Sequence, residues 1–344
     1  MLVAKLTAPR EFQLAQEEIA APGPGELQVR PDAVGICGSD LHSYAEGAIG
    51  DTPCQYPMVL GHEPSGTVMA VGAGVTGWSP GDRAALEPAL YCYHCEFCRT
   101  GRYNVCANIR FLSNPGHPGF FRERVNLPAA NLLPIPASLP LEVATLHEPL
   151  AVALHSLKFA AVQEGETVLV IGAGPIGLLT IASLKLARPA RIWAVEPLAH
   201  RREMALHLGA DAALDPTQAD AADEIMRETG GRGADCAIDC AAKEHTTNQA
   251  IRGCRNAGRV VLTGIHSASF VPFEVSPMRR KELAIFNVRR SNNEGHAAVD
   301  LLIDQTARFA PLVTHRRPLS GIAEAFRLTE NYEDGVGKMV IKAG

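Results

Sequence analysis

Four cysteines fall within fifteen residues, Cys92, Cys95, Cys98 and Cys106, in the spacing C-x2-C-x2-C-x7-C. Thiolates gathered by short loops suit a closed tetrahedral zinc site, which contributes folding energy and no chemistry. An iron–sulfur cluster is the rival reading of the same four ligands. Upstream, Cys37, His62 and Glu63 combine thiol, imidazole and carboxylate from separate stretches, C-G-S-D and G-H-E. That mixture suits a catalytic metal site with an open coordination position, where a bound cation acts as a Lewis acid. Cys54 competes with Cys37 for the thiolate role when only local sequence is considered.

A third pattern is the GAGPIG turn, in which Gly172, Gly174 and Gly177 match G-x-G-x-x-G. Gly172 permits a tight turn, Gly174 lets backbone approach a pyrophosphate, and Gly177 permits close helix packing. Pro175 and Ile176 open the following helix, whose free N–H groups face the phosphates. Glu196, after the next strand, can accept hydrogen bonds from adenosine ribose hydroxyls and repel a 2'-phosphate, which favours NAD over NADP. Arg201 and Arg202 nearby are the residues able to approach that same end of the nucleotide. A Lewis acid and a nicotinamide in one chain point to hydride removal from an alcohol carbon.

The elements that must position these groups follow from the pattern of the chain. Residues 1 to about 150 carry short β-type runs with Gly and Pro turns, which predicts a β-rich domain with large loops. The period then changes: strand Thr167 to Ile171 leads through the glycine turn into a helix bearing Ile176, Leu179, Ile181 and Leu184. Strands at 191–197, 235–239, 259–263 and 282–288 alternate with helices at 199–210 and 245–254. Such a βα rhythm predicts a doubly wound parallel sheet. Helical patterns at 296–307 and 319–328 and a short strand at 338–343 complete the chain.

Bulk composition agrees. The chain of 344 residues is long enough for two cores, with 47% hydrophobic and 20% charged residues and a formal charge of -5. No basic cluster marks a nucleic-acid surface, and no apolar run of about 18 residues spans a bilayer. Nine cysteines, an odd and uneven set, do not form a disulfide scaffold. No secretory signal is visible, so the reading places the chain in a reducing cytoplasm.

The stretches GICGSDLH (35–42), VLGHEPSGTV (59–68), the four-cysteine lobe with GRYNVC (101–106), HEPLAVALH (147–155) and VLVIGAGPIGLL (168–179) together resemble the zinc-dependent medium-chain dehydrogenase/reductase superfamily, especially its sorbitol (polyol) dehydrogenase branch. The likeness covers almost the whole chain. It implies an α/β protein: a GroES-like β-rich catalytic domain over 1–150 with a structural zinc lobe at 88–108, a Rossmann NAD-binding domain over 151–288, and a return to the first domain over 289–344. It also implies two zinc ions per chain, NAD, and a homo-oligomer, a tetramer more readily than a dimer.

By the same resemblance, Cys37 and His62 are ligands of the catalytic zinc and Glu63 is a ligand or a close outer carboxylate. Glu148 stands where classical alcohol dehydrogenases place a cysteine, and reaches the metal directly or through water. Ser39 takes the position of a hydroxyl that bonds the reacting oxygen, and a proton passes through Ser39, a ribose hydroxyl and His42 to solvent. Asp40 orients a loop or a ligand. Arg290 resembles the arginine that polyol dehydrogenases aim at substrate. The chain departs from that pattern at Ser43 and Ser291, where tyrosines are common, and at His147 beside Glu148. These departures open the substrate question to polyols, sugars and sugar acids. Threonine dehydrogenase is the nearest enzymatic alternative, a zinc-free quinone or enoyl reductase a remoter one, and a zinc-containing nucleotide-binding regulatory protein the non-enzymatic one.

Overall fold

A computed structural model describes residues 1–343. The chain divides into two compact units: Met1–Glu148 with Asn292–Gly344, and Pro149–Ser291. For the inserted unit the sequence-based limits were 151–288.

The first unit is built on a seven-stranded sheet. Its path runs Leu132–Pro134, Arg83–Leu86, Glu63–Val71, Glu26–Gly35, Lys338–Lys342 and Val313–Pro318, with Val125–Pro128 also paired to Glu26–Gly35. In Glu26–Gly35, which is buried along most of its length, Leu27 and Val29 enter a core with Val68, Leu86, Leu127 and Phe121. The C-terminal strand Lys338–Lys342 lies antiparallel to Glu26–Gly35, with Val340 opposite Gly35, while Gly35 in turn faces Glu63. Three strands distant in sequence thus meet at one point. That point is where the metal-ligand candidates stand.

The second unit is a six-stranded parallel sheet in the order Ala212–Leu214, Arg191–Val195, Thr167–Ile171, Ala234–Asp239, Cys254–Leu262, Ala284–Asn287. Numbered along the chain this is 3-2-1-4-5-6, the doubly wound arrangement whose ligands sit where strand order reverses. Thr167–Ile171 is the first of the six, so the glycine turn after it lies at that reversal. Its apolar run Val168–Ile171 is buried on both faces, as a central parallel strand requires. Among the described residues no helix is long and apolar enough to cross a membrane.

Candidate active site and metal centres

The four-cysteine lobe is closed by a short ladder, Ala89–Leu90 against Arg110–Phe111, and contains the single helical turn Glu96–Arg99. All four Sγ atoms lie within 4.8 Å of one another. Individual separations are 3.9 Å for Cys92–Cys98, 3.9 Å for Cys95–Cys106 and 3.4 Å for Cys92–Cys106. Zinc–sulfur bonds of about 2.3 Å in a tetrahedron place sulfurs about 3.8 Å apart, so the cage fits one zinc ion. It is too tight for a cluster of several irons. Backbone N–H groups at His94 and Cys95 draw the Cys92 thiol down, and those at Cys98 and Ala107 draw Cys95 down. Burial pushes Cys98 up. A cation that favours four thiolates at once reconciles these opposed tendencies.

Cys37, His62 and Glu63 also converge, each offering a donor atom within 4.8 Å of the others. Cys37 caps the helix Gly38–Glu46, so its sulfur stands at the positive end of that helix. Asp40, in the first turn, is buried and accepts from Cys37 N at 3.1 Å, Gly61 N at 3.2 Å and Ser113 Oγ at 3.1 Å. Its Oδ1 lies 3.3 Å from His62 Nδ1, which leaves Nε2 for a metal. Asp40 therefore ties both ligand loops together and sets a carboxylate against His62 Nδ1. Burial works against the charge on His62, yet Asp40 and Cys37 hold its protonation range well above the ordinary value. Cys54 stands apart, its Sγ 3.7 Å from the carbonyl of Ser43.

Glu63 forms an ion pair with Lys338, both side chains almost wholly buried, and Lys338 Nζ also donates to Ile36 O at 2.9 Å. No local signal marks Lys338 in the sequence, where it opens an ordinary terminal strand. Gly35 makes room for the pair: a Cβ there would overlap Glu63 Oε2 and come within 2.8 Å of Lys338 Cε. Asp40, Glu63 and Glu148, with the Cys37 thiol, face one buried lysine and His62. This surplus of anionic donors in a dry site fits a divalent cation.

Glu148 lies in the first turn of helix His147–Ala160 and is not one of the three residues whose donors lie within 4.8 Å. Burial, with Glu63 and Glu87 adding to it, pushes its carboxyl up to about 7 against the opposing charges of His62 and Lys338. His147 is buried beside it, Nδ1 2.9 Å from Ala144 O, and burial pushes this imidazole down to about 4. It is a neutral ring that anchors the helix start.

Ser39 Oγ lies 3.4 Å from His62 Nε2, and His42 Nδ1 lies 3.0 Å from Glu46 Oε1 one turn on. Arg290 belongs to the other unit and has a left-handed backbone, φ 53°. Ser43 is 1% exposed, so replacing a tyrosine there does not simply open a void.

In the parallel-sheet unit Gly172 has φ +90°, and a Cβ on Gly177 would overlap the Gly172 carbonyl. A Cβ on Gly174 would meet nothing nearer than Arg201 Nη1 at 3.9 Å. The turn is thus tight at its first and third glycines and open at its second. Pro175 starts the helix Pro175–Leu184, followed by Ile176. Glu196 is buried and accepts from Ala173 N at 2.9 Å and Leu198 N at 3.1 Å, which fixes its carboxylate against the turn. Arg202 is committed elsewhere, to the carbonyls of Glu196 and Pro197 and to Asp215. Arg201 alone of the pair stands at the glycine turn.

Comparison with known proteins agrees with this geometry. Residues 23–137 match the alcohol dehydrogenase GroES-like domain and residues 175–304 match the zinc-binding dehydrogenase family. Sorbitol dehydrogenase of Gallus gallus is 36% identical over 94% of this chain and 91% of its own length. Among solved structures, an Escherichia coli oxidoreductase/dehydrogenase of unknown specificity superposes with TM-score 0.92 at 30% identity, covering 100% of this chain and 99% of its own. L-Idonate 5-dehydrogenase from Escherichia coli gives 0.90 at 26% identity, covering 99% and 97%.

Proposed function

The chain belongs to the zinc-dependent medium-chain dehydrogenase/reductase superfamily, in its sorbitol dehydrogenase branch, and from that premise we propose that it oxidises a secondary hydroxyl of a polyol, sugar or sugar acid to a ketone with NAD. The convergence of Cys37, His62 and Glu63 in one buried cluster carries this reading. These residues, with Glu148 directly or through water, would hold the catalytic ion. A bound zinc ion supplies Lewis acidity that lowers the pKa of an alcohol.

The remaining work falls to the chain's own groups. Ser39 Oγ takes the substrate hydroxyl proton as it gives its own to a ribose hydroxyl of the cofactor, and His42 passes that proton toward solvent. Arg290 donates hydrogen bonds to further hydroxyls or a carboxylate of the substrate. Gly172, Gly174, Pro175, Ile176 and Gly177 receive the pyrophosphate. Glu196, held by two backbone donors, keeps lone pairs for the ribose hydroxyls, which supports NAD, and Arg201 packs at the same turn. Cys92, Cys95, Cys98 and Cys106 hold a structural zinc ion. The setting this reading favours is a reducing cytoplasm, where zinc-binding thiols stay available. A homotetramer is the assembly this reading favours.

The test is NADH formation by the zinc-loaded protein across polyols, sugars and sugar acids, with threonine as control. Turnover of secondary polyol hydroxyls is expected. Rapid threonine oxidation without polyol oxidation would replace the substrate class, and two bound zinc ions with no turnover on any hydroxylated compound would replace the enzyme reading itself.

A further inference from the structure

Lys338, paired with Glu63 inside the metal cluster, is used by none of the chemistry above. Glu63 presents a carboxylate oxygen within 4.8 Å of the donor atoms of Cys37 and His62, yet Lys338 grips its Oε2. Lys338 is 1% exposed, and it also donates to the carbonyl of Ile36, the residue before Cys37. A lysine is therefore delivered by the C-terminal strand, some 300 positions away, to a site that must attract a cation. A buried ammonium next to a metal centre repels the ion, so its presence needs a reason other than metal affinity.

We propose that Lys338 is a positioning residue of the catalytic centre: it competes with the metal for Glu63, holding one carboxylate oxygen so that Glu63 does not close over the ion and exclude substrate. Gly35 belongs to the same device, since its missing side chain is what lets Lys338 and Glu63 meet. The inference rests on Cys37, His62 and Glu63 binding the metal.

The experiment compares wild type, Lys338→Met, Gly35→Ala, Glu63→Gln and the double variant Glu63→Gln/Lys338→Met after cobalt(II) loading. Absorption reports coordination, and transfer to a chelator reports release. In Lys338→Met the freed carboxylate should raise the coordination number, weakening the d–d bands, and slow metal release by about tenfold or more. Gly35→Ala keeps both charges but separates them, so it should show the same spectral change even where Lys338→Met does not fold. The double variant has no carboxylate to recapture and should match Glu63→Gln alone. Native spectra and release in both Lys338→Met and Gly35→Ala overturn the proposal. So does a spectral change in the double variant relative to Glu63→Gln alone, because removal of a repelling charge then explains it without Glu63. A wild type that lacks a cobalt–thiolate band at the Cys37 site would instead remove the metal assignment on which the proposal stands.

Discussion

At the scale of single residues, the catalytic cluster depends on groups that hold ligands rather than on ligands alone. Asp40 accepts from both ligand-bearing loops and faces His62, so one carboxylate orients a helix start and an imidazole together. His147 shows how burial sets protonation. Its folded value of about 4 lies below the ordinary value of 6.5, so the unfolded chain binds the proton more readily. Its stabilising contribution is complete above pH 6.5 and is lost as pH falls toward 4, by at most about 1.4 kcal/mol per unit. Replacing it with leucine should flatten that part of the stability-versus-pH curve, measured by urea unfolding between pH 7 and 4.5. An unchanged slope would mean that the ring is not desolvated as described.

At the scale of elements, the glycine turn separates folding from binding. A Cβ at Gly177 would collide with the Gly172 carbonyl, whereas one at Gly174 would enter open space beside Arg201. Gly177→Ala should cost about 1–3 kcal/mol of stability and weaken NADH binding together. Gly174→Ala should leave Tm near that of wild type while raising the Kd for NADH, because the added methyl occupies the path of a pyrophosphate. Fluorescence titration and a thermal scan of both variants separate the two effects. Equal NADH affinity in Gly174→Ala and wild type would show that the cofactor backbone does not approach this glycine. Among elements, strand Thr167–Ile171 stood out because its apolar run ends at a glycine turn. Helix Ala221–Glu228 escaped notice, although Asp220 accepts from Ala222 N and Asp223 N as an N-cap and was its available signal.

At the scale of the whole molecule, the two proposed metal centres in the first unit would have different duties. The lobe cage is built from one local segment, while the catalytic cluster is assembled from strand ends far apart in sequence. Cys92→Ser should lose one zinc ion, with destabilisation of more than about 4 kcal/mol, and should retain the other ion at the Cys37 site. Metal analysis by mass spectrometry and a thermal scan check this. Loss of both ions from a still folded protein would show that the centres are not independent.

Short-range patterns were readable without a structure because their geometry is local: four cysteines on short loops must lie close, and a glycine turn between strand and helix carries its own conformation. The lobe ligands and the nucleotide turn belong to this class, and the βα rhythm of the inserted unit announced a parallel sheet without saying which strands pair. Cys37 and His62 were named largely through resemblance, since nothing in local sequence chose Cys37 over Cys54. Only tertiary structure brought Cys37, His62 and Glu63 within one cage and left Cys54 outside it. The same holds for Lys338, whose partner is decided by the pairing of Lys338–Lys342 with Glu26–Gly35 and of that strand with Glu63–Val71. Strand pairing acts between residues with no sequence relation, and burial of a charge becomes visible only once the surrounding core has closed.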